Sequence, residues 1–196
     1  MNSQSDDILF NVHSIVANTV HEGPFNRLAI WFQGCNIGCK DCANPEMLPL
    51  KPKHILSLNK IREIIQESKN KHSIEGVTLL GGEPTLQSHL YALCESIQRL
   101  GLGVILYTGK SINDLDTSLV SHTDLIIDGA YQKGNESKNR KNIGSDNQNL
   151  ILISNRYRDA VHWFETNKTD GTFRVTKQAI TYDGNQIINN LNSSSQ

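Results

Sequence analysis

The chain has 196 residues, 37% hydrophobic and 20% charged, which is enough for one domain with a true core. Nineteen basic against twenty acidic residues leave a formal charge of −1, which gives no electrostatic footprint for nucleic acid or an anionic membrane surface. No stretch nears the about 20 apolar residues of a membrane span, and the N-terminus MNSQSDDILF lacks a basic, apolar leader, so a cytoplasmic location is expected.

In chain order, residues 1–10 are polar and read as loose. Glu22-Gly23-Pro24 is a turn signal, and the apolar run Leu28 to Phe32 after it predicts a buried strand. That strand ends directly at GCNIGCKDCANP, residues 34–45, which sets Cys35, Cys39 and Cys42 in a C-x3-C-x2-C spacing. Gly38 and Asn44-Pro45 make the stretch a loop that folds its thiols inward. Clustered thiols in a reducing compartment read as metal ligands, and thiolates select zinc or an iron–sulfur cluster. A structural zinc site closes with a fourth ligand, usually in a second compact pair, and no second C-x2-C or H-x3-H follows. Three ligands leave one metal position open. In a cubane that position is an iron able to chelate a small molecule.

Ser57 is placed to cap a helix whose apolar face holds Leu58, Ile61, Ile64 and Ile65, lasting to Lys69-Asn70-Lys71. Val77 to Leu80 predicts a short strand running into Gly81-Gly82-Glu83-Pro84. A helix with Leu86, Leu90, Leu93, Cys94, Ile97 and Leu100 on one face then stops at Gly101. The alternation continues with a strand at Val104 to Tyr107, a helix at Ile112 to Val120 and a strand at Asp124 to Asp128. Residues 129–148 lack apolar periodicity and read as a functional lid or a disordered segment, with the lid favoured. Leu150 to Ile153 is a fifth strand and Arg156 to Thr166 a helix, after which Asp170-Gly171 and Asp183-Gly184 bracket a small β-ribbon.

This order predicts an α/β fold: a partial, laterally open (β/α) barrel of parallel strands with a C-terminal helix and β-ribbon extension. It is expected to be one domain over 1–196, with its core at about 11–155 and the extension at 156–196. In such sheets the site lies at the carboxyl ends of the strands, where the cysteine loop, the Gly-Gly-Glu-Pro turn, Thr108-Gly109 and Asp128-Gly129 all fall. The glycines of Gly81-Gly82-Glu83-Pro84 let a ligand approach, and its carbonyls and carboxylate suit an ammonium group, although a plain strand-to-helix turn reads the same way.

Together, C-x3-C-x2-C after the first strand and Gly-Gly-Glu-Pro after the second resemble the radical S-adenosylmethionine superfamily, in particular the small activases of glycyl-radical enzymes of the anaerobic ribonucleotide reductase type. The likeness covers about residues 20–150. It is carried by Gly23-Pro24, Arg27, Trp31-Phe32-Gln33-Gly34-Cys35, Tyr107-Thr108-Gly109, Asp128-Gly129-Ala130-Tyr131 and Gly144-Ser145-Asp146-Asn147-Gln148. The resemblance implies that Cys35, Cys39 and Cys42 hold a 4Fe-4S cluster whose unique iron chelates S-adenosyl-L-methionine, with Gly81, Gly82 and Glu83 receiving its ammonium group. It implies adenine contacts near Asp41 and Ala43, and ligand contacts from Thr108, Asp128, Ser145 and Asn147. It further implies reductive cleavage to methionine and a 5′-deoxyadenosyl radical, a glycyl-radical enzyme as partner, and a flavodoxin- or ferredoxin-type electron donor. Asp41 stands where many family members have an aromatic residue.

Outside these motifs, Cys94 reads as a core residue and His72, His89 and His122 as exposed or capping groups. Lys133, Lys138, Arg140 and Lys141 read as a solvated loop face or a docking site for an acidic partner. No catalytic side chain is assigned beyond the cluster and cofactor sites. Two other functions stay open: a radical enzyme acting directly on a peptide or small metabolite, and a non-catalytic zinc-binding interaction module.

Overall fold

The computed structural model describes residues 8–165 together with 181–182 and 187–188. In chain order its elements are β1 (Leu9–Thr19), β2 (Arg27–Phe32), β3 (His54–Ser57), α1 (Leu58–His72), β4 (Gly76–Gly81), α2 (Leu90–Arg99), β5 (Gly103–Tyr107), α3 (Thr117–Ser121), β6 (Leu125–Asp128), β7 (Asn149–Leu152), α4 (His162–Glu165), β8 (Thr181–Tyr182) and β9 (Ile187–Ile188). Seven strands form one sheet in the order β3-β1-β2-β4-β5-β6-β7. The inner strands β2, β4, β5 and β6 are parallel, while β1, β3 and β7 run antiparallel to their neighbours, so the sheet is open at both edges.

Alternation along the strands separates two cores. Leu28, Ile30 and Phe32 of β2, with Val77, Leu79, Val104, Leu106 and Ile126, face the layer of α1, α2 and α3. Ile105, Leu125 and Ile127 face the other way, where Ile143, Tyr157, Ala160 and Phe164 cover them. Strands buried on both faces explain the near-continuous apolar runs of the parallel segments. Ser57 caps α1 by accepting from Lys60 N at 3.2 Å, and Ser73 closes it in the left-handed region.

Several expectations change. Residues 9–19 form a long strand, although polar His13 and Ser14 break its alternation at the register shift between Val12 and Ser14. The helix foreseen from Ile112 to Val120 is a 3-10 turn over Ile112–Asp114 followed by α3, because Asp116 restarts the chain by capping Ser118 N. The second helix begins at Leu90, after a 3-10 turn at Pro84–Leu86 and the left-handed His89. The helix foreseen from Arg156 to Thr166 is a 3-10 turn at Arg158–Ala160 and then α4, and Thr166 lies outside the described residues. Of the ribbon, β8 and β9 pair antiparallel, whereas Asp170-Gly171 and Asp183-Gly184 lie outside the described residues.

Candidate functional site

The parallel register fixes where the motifs meet. Phe32 pairs with Gly81, so the cysteine loop leaves β2 at the level where the Gly-Gly-Glu turn leaves β4. The two are fastened together: Gly82 N donates to Phe32 O at 2.9 Å and Glu83 N to Gly34 O at 2.8 Å. A Cβ on Gly82 would stand 2.2 Å from Gly34 O, and Gly81 has φ 116° with Phe32 N only 2.4 Å from such an atom. The glycine pair is therefore dictated first by the neighbouring loop.

The loop's return limb lies alongside. Gly34 N donates to Met47 O and Cys35 N to Leu48 O, while Gln33 Nε2 donates to Pro49 O at 2.9 Å. Gly38 and Asp41 take positive φ, which turns the chain between the cysteines. Cys35, Cys39 and Cys42 stay half-buried, and Asn44 N donates to Cys42 Sγ at 3.4 Å. Burial pushes the Cys35 thiol up, and the Glu83 carboxylate and the other two cysteines push the same way. Binding a metal as thiolate must therefore release protons.

Glu83 is 1% exposed. Its Oε1 accepts from Thr85 N, Thr85 Oγ1 and Thr108 Oγ1, and its Oε2 accepts from Gly109 N at 2.8 Å. A carboxylate offers about four acceptor positions, so this one is filled from within the fold. By contrast, the Gly82 carbonyl has no hydrogen-bond donor among the described residues. Gly109 in turn packs on the cysteine loop, since a Cβ there would lie 2.9 Å from Ile37 Cγ1.

The remaining residues named from the sequence divide by employment. Thr108 Oγ1 also accepts from Lys110 N, and Asp128 accepts from Ile112 N and Asn149 Nδ2, so both hold their own loops. Ser145 is fully buried and accepts from Gln132 N, and Asn147 donates to Ala130 O. These bonds, with Gln148 bridging Gly144, Ser145 and Gly129, brace residues 129–148 into a folded loop. Ala43 and Asp41 are exposed, and Asp41 forms an ion pair with Lys133 of that loop. Arg140 donates to Gln148 O and Lys141 sits 3.9 Å from the Trp163 ring centroid, so neither is simply a solvated charge. Sequence reasoning missed Thr85, whose only signal was a polar residue beside the motif, and noticed Gln33 only as part of the likeness, without its bond to the return limb. Cys94 is fully buried in the helix-side core and burial pushes its thiol up, as a core cysteine requires.

Among the described residues, no three His, Cys, Asp or Glu side chains converge on one ion position. A cubane, larger than a single ion, takes one cysteine at each of three corners. Three thiols on a glycine-turned loop, one already receiving an N–H bond, fit the larger group.

Fold and site together define an α/β protein built to carry one iron–sulfur centre at the carboxyl edge of its sheet. Residues 21–151 match the 4Fe-4S single cluster domain, and the chain belongs to that family. An anaerobic ribonucleoside-triphosphate reductase-activating protein of Vibrio cholerae is 27% identical over 147 residues, 70% of this chain and 95% of its own. The protein so named from Enterobacteria phage T4 is 27% identical over 134 residues, 65% of this chain and 85% of its own. A Haemophilus influenzae protein named as a glycyl-radical enzyme activating enzyme is 33% identical over 125 residues. That match covers 62% of this chain, which spans only about half, 47%, of the Haemophilus protein. The resemblance to glycyl-radical activases is thereby borne out. Among the described residues, no helix is long and apolar enough to cross a membrane.

Proposed function

We propose that this chain is a radical S-adenosylmethionine enzyme that installs a glycyl radical on a partner enzyme of the anaerobic ribonucleotide reductase kind. The observation that carries the reading is the fastening of the three-cysteine loop to the Gly81-Gly82-Glu83 turn through Gly34 O and Phe32 O. It sets three thiols beside an unengaged backbone carbonyl, one pairing for a cluster and one for a cation. The relatives' names support the partner class.

In this reading Cys35, Cys39 and Cys42 hold the 4Fe-4S cluster, and the carbonyls of Gly81 and Gly82 receive the cofactor's ammonium group. Glu83 shapes their turn, its oxygens being already committed. Asp41 and Ala43 border the adenine side, while Thr108, Asp128, Ser145 and Asn147 fix the loops around it. When bound, cluster and S-adenosyl-L-methionine supply a one-electron cleavage of the sulfonium to methionine and a 5′-deoxyadenosyl radical that takes a hydrogen atom from the substrate. A flavodoxin- or ferredoxin-type carrier supplies the electron, and the setting is cytoplasmic and anaerobic.

The test is anaerobic reconstitution with iron and sulfide, followed by dithionite and S-adenosyl-L-methionine. Methionine and 5′-deoxyadenosine are expected in equal amounts, with a persistent glycyl signal by electron paramagnetic resonance when an anaerobic ribonucleotide reductase is added. Cleavage with an altered small product and no protein radical would move the function to direct action on a peptide or metabolite. Colourless protein holding zinc without iron would end both readings.

A further inference from the structure

The loops that follow the parallel strands are almost bare of aromatic side chains. Residues 33–53, 82–89, 108–116 and 129–148 together contain a single Phe, Tyr or Trp, which is Tyr131. It stands three residues past the end of β6, and the loop is folded around it. On one side of it Asn147 Nδ2 donates to Ala130 O at 2.9 Å, and on the other Gln132 N donates to Ser145 Oγ at 3.0 Å. The Tyr131 hydroxyl donates to Glu136 Oε1 at 3.2 Å, an oxygen that Gly134 N also holds at 2.8 Å. A Cβ on Gly144 would stand 3.1 Å from Tyr131 Cδ2, so the ring rests directly on that backbone.

Fixing the ring has not hidden it, because Tyr131 is only half-buried. Its place is also tied to the thiols. Lys133 forms an ion pair with Asp41, the residue before Cys42, and the Tyr131 hydroxyl lies within electrostatic reach of the same carboxylate. The segment that carries the ring is thus moored to the cysteine loop across about ninety residues of chain. An aromatic ring with its backbone, its hydroxyl and one edge already held loses little further freedom when a flat group lies against it.

Resting on the function proposed above, we infer that Tyr131 is the binding residue on which the adenine ring of S-adenosyl-L-methionine stacks. The amino acid end of that molecule has its partners in the cluster and the glycine carbonyls, which leaves the base as its one flat aromatic group. A base gains most from a π face, and the carboxyl-edge loops offer one. Ser145 and Asn147 then serve the cofactor at one remove, as braces of the ring, which accounts for polar side chains that are committed to main-chain groups.

The test uses the full chain, reconstituted with iron and sulfide without oxygen, and calorimetric titration with S-adenosyl-L-homocysteine, which keeps the base and the amino acid but has no sulfonium to cleave. Tyr131→Leu should weaken its binding about tenfold or more, the range for removing an aromatic ring from beside a base. Tyr131→Phe keeps the ring and should bind as the wild type does. L-Methionine, which lacks the base, should bind Tyr131→Leu and the wild type alike, and iron content should match in all three proteins. In dithionite-driven cleavage, Tyr131→Leu should raise the KM for S-adenosyl-L-methionine by the same factor and leave kcat at saturation unchanged. Equal affinity of Tyr131→Leu and the wild type for S-adenosyl-L-homocysteine would overturn this inference alone. A matching loss of methionine binding would overturn it too, since Tyr131 would then only prop the loop. A wild type that takes up its cluster yet binds neither compound would overturn the function on which the inference rests.

Discussion

At the amino ends of the parallel strands, side chains bond to side chains. Arg27 is fully buried, donates to Thr78 Oγ1, Glu75 Oε2 and the Tyr157 hydroxyl within 2.9 Å, and bonds the Val77 and Pro24 carbonyls. Arg156 completes the group through Glu75 Oε1 at 2.6 Å. Gly76 and Gly103 make room for it, since a Cβ on Gly103 would lie 2.1 Å from the Tyr157 hydroxyl. At the carboxyl ends, Glu83 and Asp128 take main-chain N–H groups of the next turns, from Thr85, Gly109 and Ile112, beside the side-chain donors of Thr85, Thr108 and Asn149. One edge ties distant segments shut. The other spends its carboxylates on loop shape and leaves thiols and a carbonyl for something else.

The difference is open to attack from either side. The largest effect should come from Cys39→Ala, with iron content and cofactor cleavage falling to background while the far-ultraviolet circular dichroism is kept. Cys94→Ala should keep its iron and cost on the order of 1 kcal/mol in urea denaturation, as a small core cavity does. Equal iron losses in the two would erase the distinction between loop and core cysteines.

Next in size is Arg27→Ala, which removes the cation from beside Glu75 at the closed edge. Unfolding free energy should drop by about 3 kcal/mol, the range for one partner of a buried pair, while cleavage per folded, iron-loaded molecule holds. A specific loss of cleavage would mean that the two edges are not independent.

Glu83→Gln should fall between them in kind. Its amide turns a donor toward the N–H or hydroxyl groups that now point at the carboxylate, costing roughly 2 kcal/mol. It should also lower iron loading, which Arg27→Ala should not. The smallest effect is expected for Lys133→Ala. Its ion pair with Asp41 is more than half exposed on both sides, and such pairs contribute about 0–1 kcal/mol. A melting shift within 2 °C would agree with that, and a larger one would make the loop over 129–148 part of the site's framework.

Much of the carboxyl edge was legible because its chemistry is local in sequence. Three thiols fall within eight residues, and the glycines of residues 81–82 announce a close approach. What approaches them was not legible: the partner is Gly34 O from a loop almost fifty residues earlier, and no local pattern encodes it. The antiparallel edge was missed for a related reason. β3 has only four residues, and β1 carries a register shift exactly where a period of two would be sought, leaving Phe10 and Val12 as its faint signal. The direction of β7 was likewise invisible, since a four-residue strand reads alike both ways. Arg27 was noticed as part of a motif, but its partners Glu75 and Tyr157 lie 48 and 130 residues away.

Gly34, Glu83, Gly109 and Ile37 form a closed circuit: the loop's own oxygen holds the turn, the turn's carboxylate holds the next strand end, and that end rests on the loop again. A ring fastened in this way owes none of its links to iron. The metal-free protein should therefore already carry a shaped receptacle, with the Glu83 and Gly109 amides slow to exchange with deuterated solvent. Loading would then follow the kinetics of capture by a rigid host, without the lag of a chain that must first fold around its metal.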